Sequence, residues 1–147
     1  MKRIIIIAFL ALLTCACNDP FMPGYDAQID HRGNALQNKV NRFLGDLQRT
    51  AGTPAAAYEN HKRFYSEMRT ELKGLRDAAA KLPRNEATLN CIAPIEENVA
   101  VLETLHRTGI TAAEVPVLRT IFETQFQALL HLEDAKLRGK RKKDVGR

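Results

Sequence analysis

Residues 58–82 read YENHKRFYSEMRTELKGLRDAAAKL, and this stretch decides the fold that the sequence predicts. Its inward-facing positions are separated by alternating steps of three and four residues, which places them all on one face of an α-helix. These positions are Tyr58, His61, Tyr65, Met68, Leu72, Leu75, Ala79 and Leu82. We predict one long helix that starts at Thr53, an N-cap residue followed by Pro54, and ends at Leu82, before Pro83.

Three further amphipathic segments surround this helix in the sequence. Apolar residues recur at helical spacing over residues 26–50 and again over residues 85–108, where Pro94 predicts a kink or a restart. The last segment begins at a capping box formed by Thr111 and Glu114, and we expect its helix to end near residue 137 or 138. Short connections favour antiparallel neighbours, so the predicted fold is all-α, an up-down-up-down four-helix bundle.

The first seventeen residues have the composition of an export signal. Lys2 and Arg3 precede the apolar run IIIIAFLALL at residues 4–13, which is too short to span a bilayer but suits the core of a signal peptide. Small residues and cysteines follow, in the sequence TCAC at residues 14–17. We therefore predict that this leader is cleaved during export.

The TCAC sequence resembles the lipobox of bacterial prolipoproteins, in which a signal peptidase cuts before a cysteine that becomes diacylglycerylated. The resemblance implies that Cys17 carries the lipid, because Ala16 precedes it as the family expects. Cys15 is the alternative, since Leu12 lies three residues upstream of it, where Cys17 has Thr14. An ordinary secretory signal with incidental cysteines is the remaining interpretation.

This resemblance divides the chain into four parts and implies a location in the cell envelope. The parts are a signal peptide (1–16), a lipidated cysteine with a short tether (17–25), the helical bundle (26–138) and a basic tail (139–147). In enterobacteria-like lipoproteins an Asp directly after the lipidated cysteine tends to retain the protein at the inner membrane. Asn18 occupies that position here, so we favour the outer membrane, facing the periplasm, over the inner membrane.

The basic charge is concentrated at the two ends of the chain. The formal net charge is +5, but residues 136–147 contribute +6 and the first three residues +2, so the remainder carries −3. A nucleic-acid-binding domain would carry its basic patch on the fold, and this distribution argues against one. The tail lies at the same end of the predicted bundle as the lipid, so we expect membrane contact by Lys140, Arg141, Lys142 and Lys143. The alternative is a solvated tail that only aids solubility.

The sequence contains no convincing catalytic or cofactor motif. One Glu-x-x-His motif is present, at Glu103 and His106, whereas a di-iron bundle needs two such motifs and two further glutamates. Ser66 is the only serine of the predicted mature region, and no nucleophile-elbow motif surrounds it. We therefore predict neither an enzyme nor a bound cofactor.

Four polar aromatic residues are the strongest candidates for a ligand site. Tyr58, His61, Tyr65 and His106 occupy inward positions in the half of the bundle that lies away from the lipid. They are candidates for a polar layer that binds a ligand or senses pH, but two histidines are too few ligands to predict a metal site. The alternative is that they are hydrogen-bonded core or end-cap residues. Cys91, the only thiol left after lipidation, is expected to be a buried residue or to form an intermolecular disulfide.

The function that these observations favour is a non-catalytic helical interaction or adaptor module for another envelope protein or assembly. In size and helical content the mature chain resembles the pilotins that escort secretins to the outer membrane, and exclusion or immunity lipoproteins of mobile elements. The alternative is a periplasmic ligand- or metal-binding helical bundle, and a third possibility is a structural lipoprotein with no specific partner. The expected partners are the membrane, through the lipid, and an envelope protein.

Overall fold

The computed structural model describes residues 24–146, and these residues fold into α-helices. The helices are α1 (Ala27–Thr50), α2 (Lys62–Ala80), α3 (Glu86–Thr108) and α4 (Val115–Val145), and two 3₁₀ turns, Pro54–Ala56 and Tyr58–Asn60, connect α1 to α2. No strand occurs among the described residues, and the predicted all-α, four-helix architecture is confirmed. The proposed signal peptide and Cys17 lie outside the described residues. None of the described helices combines the length and apolar character needed to cross a bilayer.

Side-chain contacts give the relative direction of α1 and α2. Arg32 of α1 donates a hydrogen bond to the carbonyl oxygen of Gly74, at 3.2 Å. Two turns later, Lys39 bonds the carboxylates of Glu67 and Glu71, at 2.7 and 2.6 Å. Residue numbers therefore rise along α1 while they fall along α2, which is the order of antiparallel neighbours.

The same order relates α4 to α1. A Cβ atom added at Gly33 of α1 would lie 3.2 Å from a methyl group of Leu130, and 3.4 Å from one of Leu129. At the other end of α1, Gln48 accepts a 3.4 Å hydrogen bond from Arg119. The first turns of α1 therefore lie beside the middle of α4.

A single apolar core occupies the space between the helices. Each helix contributes apolar residues from one of its faces, and these residues are almost completely removed from solvent. The buried residues include Ile29, Leu36, Val40, Leu44, Leu47, Tyr65, Met68, Leu72, Leu75, Ile92, Ile95, Val99, Leu102, Phe122, Phe126 and Leu129. The packing of these side chains fixes the positions of the polar residues described below.

The predicted helix over residues 53–82 is wrong in its first third, where the chain forms the two 3₁₀ turns. In an α-helix, the carbonyls of residues 54–56 would accept the amides of residues 58–60. Side chains bond these carbonyls instead: Asn60 bonds that of Pro54, His61 that of Ala55 and His106 that of Ala56, at 3.0, 2.9 and 2.7 Å. Tyr58 and His61 therefore belong to the connection between α1 and α2 and not to the inward face of α2.

Two further predicted helix limits are corrected. Residues 86–108 form one uninterrupted helix through Pro94, so of the two alternatives predicted there, a kink or a restart, the restart is wrong. Helix α4 continues to Val145, past the predicted end at residue 137 or 138, so residues 139–145 are part of a helix and not a separate tail. Gly139 alone does not end the helix, because the lysines and arginines around it are good helix formers. The Thr111 amide donates to the Glu114 carboxylate at 2.8 Å, but the predicted start of the helix at Thr111 is wrong, because α4 begins at Val115.

Candidate functional site

The four candidate residues for a polar layer do come together, at the end of the bundle where α1 meets the 3₁₀ turns. His61 and His106 have ring centroids 5.4 Å apart, and Tyr58 and Tyr65 have theirs 5.7 Å apart. Two phenylalanines that the sequence analysis did not single out, Phe43 and Phe64, stack beside them with centroids 3.7 Å apart. We call these six residues the distal cluster.

His106 is the buried centre of the distal cluster, and its hydrogen bonds define its protonation. Its Nε2 atom lies 2.7 Å from the carbonyl oxygen of Ala56, which can only accept, so Nε2 carries the proton. Its Nδ1 atom then accepts from the hydroxyl of Tyr65, also at 2.7 Å. Burial lowers the pKa of His106, and the nearby charge of His61 lowers it further. The hydrogen bond to Ala56 raises this pKa, but by less than burial lowers it. His106 is therefore a neutral imidazole that joins α2, α3 and the connection.

A carboxylate on α3 holds the outer side of the distal cluster. The Tyr58 hydroxyl donates to Glu103 at 2.7 Å, and Arg107 donates to the same carboxylate while its guanidinium lies 4.3 Å from the Tyr58 ring centroid. Arg69 of α2 also pairs with Glu103. Burial alone would raise the pKa of Glu103, but hydrogen bonds from Tyr58 and Arg107 and the charge of Arg69 outweigh it and lower that pKa. Glu103 is thus an ionised anchor for the connection.

Both ring nitrogens of His106 and the Nε2 atom of His61 already form hydrogen bonds within the protein. A metal ion at His106 would displace either the Tyr65 hydroxyl or the Ala56 carbonyl, because each ring nitrogen already has a partner. His61 bonds the Ala55 carbonyl through Nε2. Across residues 24–146, no group of three or more His, Cys, Asp or Glu side chains is arranged to hold a metal ion. The arrangement fastens the α1–α2 connection to the bundle.

A second polar cluster lies inside the opposite half of the bundle, and the sequence analysis missed it. Lys136 of α4 is completely buried and donates to Glu133, Asn85 and Thr88, at 2.6, 2.6 and 2.5 Å. Thr88 also donates to Glu133 at 2.8 Å, while the second carboxylate oxygen of Glu133 is buried with no hydrogen-bond partner. Sequence spacing carried the signal, because Glu133 and Lys136 continue the inward steps from Leu129. We call Asn85, Thr88, Glu133 and Lys136 the buried ion cluster.

Cys91 lies in α3, one turn beyond the buried ion cluster, and it is half-buried. Burial raises the pKa of its thiol, the charge of Lys136 lowers it and that of Glu133 raises it. The thiolate is therefore a minor form at neutral pH, which disfavours nucleophilic chemistry at this position. Its expected alternatives, a buried thiol or an intermolecular disulfide, both remain predictions.

Helix α3 exposes two large aliphatic residues on the side that faces away from α2. Glu103 marks the α2 side, because it pairs with Arg69. Val101 and Leu105 each lie two residues from Glu103, which turns them about 200° around the helix axis. They are 50% and 38% exposed, so they form an apolar strip on the outside of α3.

Helix α4 exposes a matching pair on the side that faces away from α1. Arg119 marks the α1 side, through its hydrogen bond to Gln48. Val117 and Ile121 lie two residues to either side of Arg119, again about 200° around the axis, and are 62% and 38% exposed. Since residues 109–114 join α3 directly to α4, this pair lies at the same end of the bundle as Val101 and Leu105. We call these four residues the α3/α4 face.

The charged surface of the bundle lies elsewhere. The surface ion pairs that join different helices link α1 with α2, through Lys39, and α2 with α3, through Arg69 and Arg76. The α3/α4 face consists instead of uncharged aliphatic side chains. An exposed apolar patch next to a charged surface is typical of a site of protein–protein contact.

The remaining candidate residues lie at the two extremes of the chain. Lys140, Arg141, Lys142 and Lys143 are all exposed and belong to the last turns of α4. The proposed lipidation site, Cys17, is outside the described residues. In comparisons with known proteins, no protein-family model, curated protein or solved structure matches this chain.

Proposed function

We propose that this chain is an envelope lipoprotein, anchored by a lipid on Cys17, that acts as a non-catalytic helical adaptor for another envelope protein. The observation that carries the proposal is the α3/α4 face. Four aliphatic side chains, between 38% and 62% exposed, lie at one end of a bundle whose surface ion pairs between helices join α1 to α2 and α2 to α3.

The chemistry of this face specifies the kind of partner. It carries aliphatic groups and no charge at its four defining positions, so a charged surface would lose hydration there without gaining an ion pair. A helix that presents its own aliphatic side chains fits better, because helices recognise apolar grooves through anchors spaced three or four residues apart. Val101 with Leu105, and Val117 with Ile121, already have that spacing. We propose an uncharged, aliphatic helix face as the partner surface.

Crosslinking in cells, followed by purification from solubilised membranes, tests the proposal. The comparison includes wild type, Cys17→Ser, Val117→Glu and a matched control, Ser66→Glu, which places the same charge on an exposed position of α2. We expect one dominant envelope protein with wild type and Ser66→Glu, and its loss with Val117→Glu and with Cys17→Ser. Equal recovery with Val117→Glu would reject this face as the docking surface, and unchanged membrane association of Cys17→Ser would reject the lipid anchor.

The rival function, a ligand- or metal-binding bundle, has its own test at the distal cluster. Elemental analysis of the purified protein, beside a His61→Ala variant, measures whether stoichiometric metal is carried through purification. Metal present in wild type and absent from His61→Ala would support the rival. Its absence from both proteins supports the adaptor, in which the histidines hold the α1–α2 connection in place.

A further inference from the structure

The last turns of α4 project beyond the first residues of α1 and of α3. Because Gly33 of α1 lies beside Leu129 and Leu130, the first residue of α1, Ala27, is level with residues 135 and 136 of α4. Lys136 also contacts Asn85, which directly precedes α3. Helix α4 continues for nine residues past this level, to Val145, a distance of about 14 Å at 1.5 Å per residue. We call residues 137–145 the basic extension.

The basic extension carries positive charge on every side. Lys140, Arg141, Lys142 and Lys143 are consecutive, so their side chains spread around the axis in steps of about 100°. All four are exposed, and none of them forms an ion pair within residues 24–146. An amphipathic helix that lies in a membrane needs an apolar face, and these four residues leave none in that turn. The extension is therefore built to contact anionic groups that surround it, rather than hydrocarbon on one side.

The buried ion cluster fixes α4 immediately before the extension begins. Lys136 donates three hydrogen bonds, to Glu133 in the same helix and to Asn85 and Thr88 at the start of α3. All four residues are at most 2% exposed. The direction in which α4 leaves the bundle is thus set by polar contacts inside it.

The proposed lipid anchor lies at this same end. Gly24 and Tyr25 precede α1, whose first residue is level with residues 135 and 136 of α4, so the start of the described chain lies near the beginning of the extension. Gly24 is the seventh residue after Cys17, and an extended chain of that length reaches about 25 Å at most. A membrane that holds the acyl chain is therefore within reach of the extension.

We propose that the basic extension inserts among the headgroups of anionic phospholipids and thereby holds the bundle upright on the membrane. This proposal rests on the lipid anchor of the proposed function. The acyl chain supplies attachment and the extension supplies orientation, with the α3/α4 face directed away from the bilayer. Each basic residue near an anionic surface strengthens binding about fivefold, so four of them raise the binding constant of the extension about 600-fold.

A distance measurement on reconstituted protein tests this proposal. A fluorescent amino acid replaces Val145, which is 89% exposed, in the lipidated protein, and the vesicles carry a quencher attached to lipid headgroups. We expect strong quenching in vesicles that contain phosphatidylglycerol and weak quenching in phosphatidylcholine alone. The difference should disappear in 1 M salt, where the Debye length is about 3 Å, and in a variant with Lys140, Arg141, Lys142 and Lys143 all changed to Gln.

A second label position provides the internal control. Val117 is 28 residues before Val145 in the same helix, or about 42 Å away, so a label there should remain unquenched in every vesicle. Vesicle-bound protein whose Val145 label is quenched equally in both lipids, or equally in the four-glutamine variant, would overturn the membrane contact while leaving the lipid anchor intact. Failure of the wild-type protein to associate with either vesicle would overturn the anchor and the contact together.

Discussion

The buried ion cluster places a charged lysine and a carboxylate inside an apolar bundle. We therefore expect removal of either charge alone to lower the free energy of unfolding strongly. Changing Lys136 to Met preserves the length of the side chain but removes its ammonium group. Glu133 then loses its 2.6 Å partner, and its second carboxylate oxygen already has none. Removing one partner of a buried ion pair leaves an uncompensated buried charge, which costs about 3–5 kcal/mol. Since the free energy of unfolding of a small domain is about 5–15 kcal/mol, Lys136→Met should remove a large part of the stability.

Equilibrium urea unfolding, followed by the far-ultraviolet circular dichroism of the helices, measures this loss. Lys140→Met is the matched control, because it makes the same change at an exposed position of the same helix, and it should change the free energy of unfolding by no more than about 0.5 kcal/mol. The double variant Glu133→Leu/Lys136→Met removes both charges and should recover most of the loss. A cost for Lys136→Met below about 1 kcal/mol, or a double variant as unstable as the single one, would refute the reasoning.

Three further predictions concern the distal cluster and the packing of α1. Burial lowers the pKa of His106 in the folded protein, so His106 is protonated more readily in the unfolded chain. As the pH falls below about 6.5, proton uptake therefore favours unfolding, and the free energy of unfolding falls by up to about 1.4 kcal/mol per pH unit. His106→Gln should make that dependence shallower between pH 6.5 and 5, and an identical slope in both proteins would contradict the assignment. Tyr65→Phe leaves the Nδ1 atom of His106 buried without a donor and should cost about 1–3 kcal/mol in urea unfolding. Gly45→Ala should raise the free energy of unfolding by about 0.5–1 kcal/mol, and with it the midpoint temperature of thermal unfolding, because alanine loses less backbone freedom in a helix than glycine. The new methyl group fits, since the nearest atom is 3.8 Å away. Gly33→Ala should gain less, since Leu130 lies at 3.2 Å, and equal gains would contradict the close approach of α1 and α4.

The sequence predicted most of the fold because hydrophobic periodicity and helix-terminating residues were both clear. The inward positions of residues 65–79 form one face of α2, and α1 and α3 begin and end within one residue of the predicted limits. The predicted start of α2 was wrong because the side chains of Asn60, His61 and His106 bond the carbonyls that would accept backbone amides in an α-helix. Such competition depends on residues that are distant in sequence, and periodicity does not record it.

The residues of the distal cluster could be predicted from the sequence and those of the buried ion cluster could not, for a similar reason. Tyr58, His61, Tyr65 and His106 were found through their spacing, although two of them lie in 3₁₀ turns or beside them. The sequence alone did not identify Glu133 as a buried residue, because a charged side chain at an inward position has no favourable place until its partner is known. Its partner Lys136 lies one turn later in the same helix, but Asn85 and Thr88, which complete the cluster, lie at the start of α3 and reach it only when α3 packs on α4.

The adaptor role depends on contact between the α3/α4 face and an envelope protein, and residue-specific photo-crosslinking in living cells tests that contact most directly. A photoreactive amino acid is placed at Val117 in one strain and at Ser66, on the charged side of the bundle, in another. We expect one prominent crosslinked envelope protein from position 117 and none of it from position 66. No crosslinked protein at position 117, or the same products from both positions, would contradict the account.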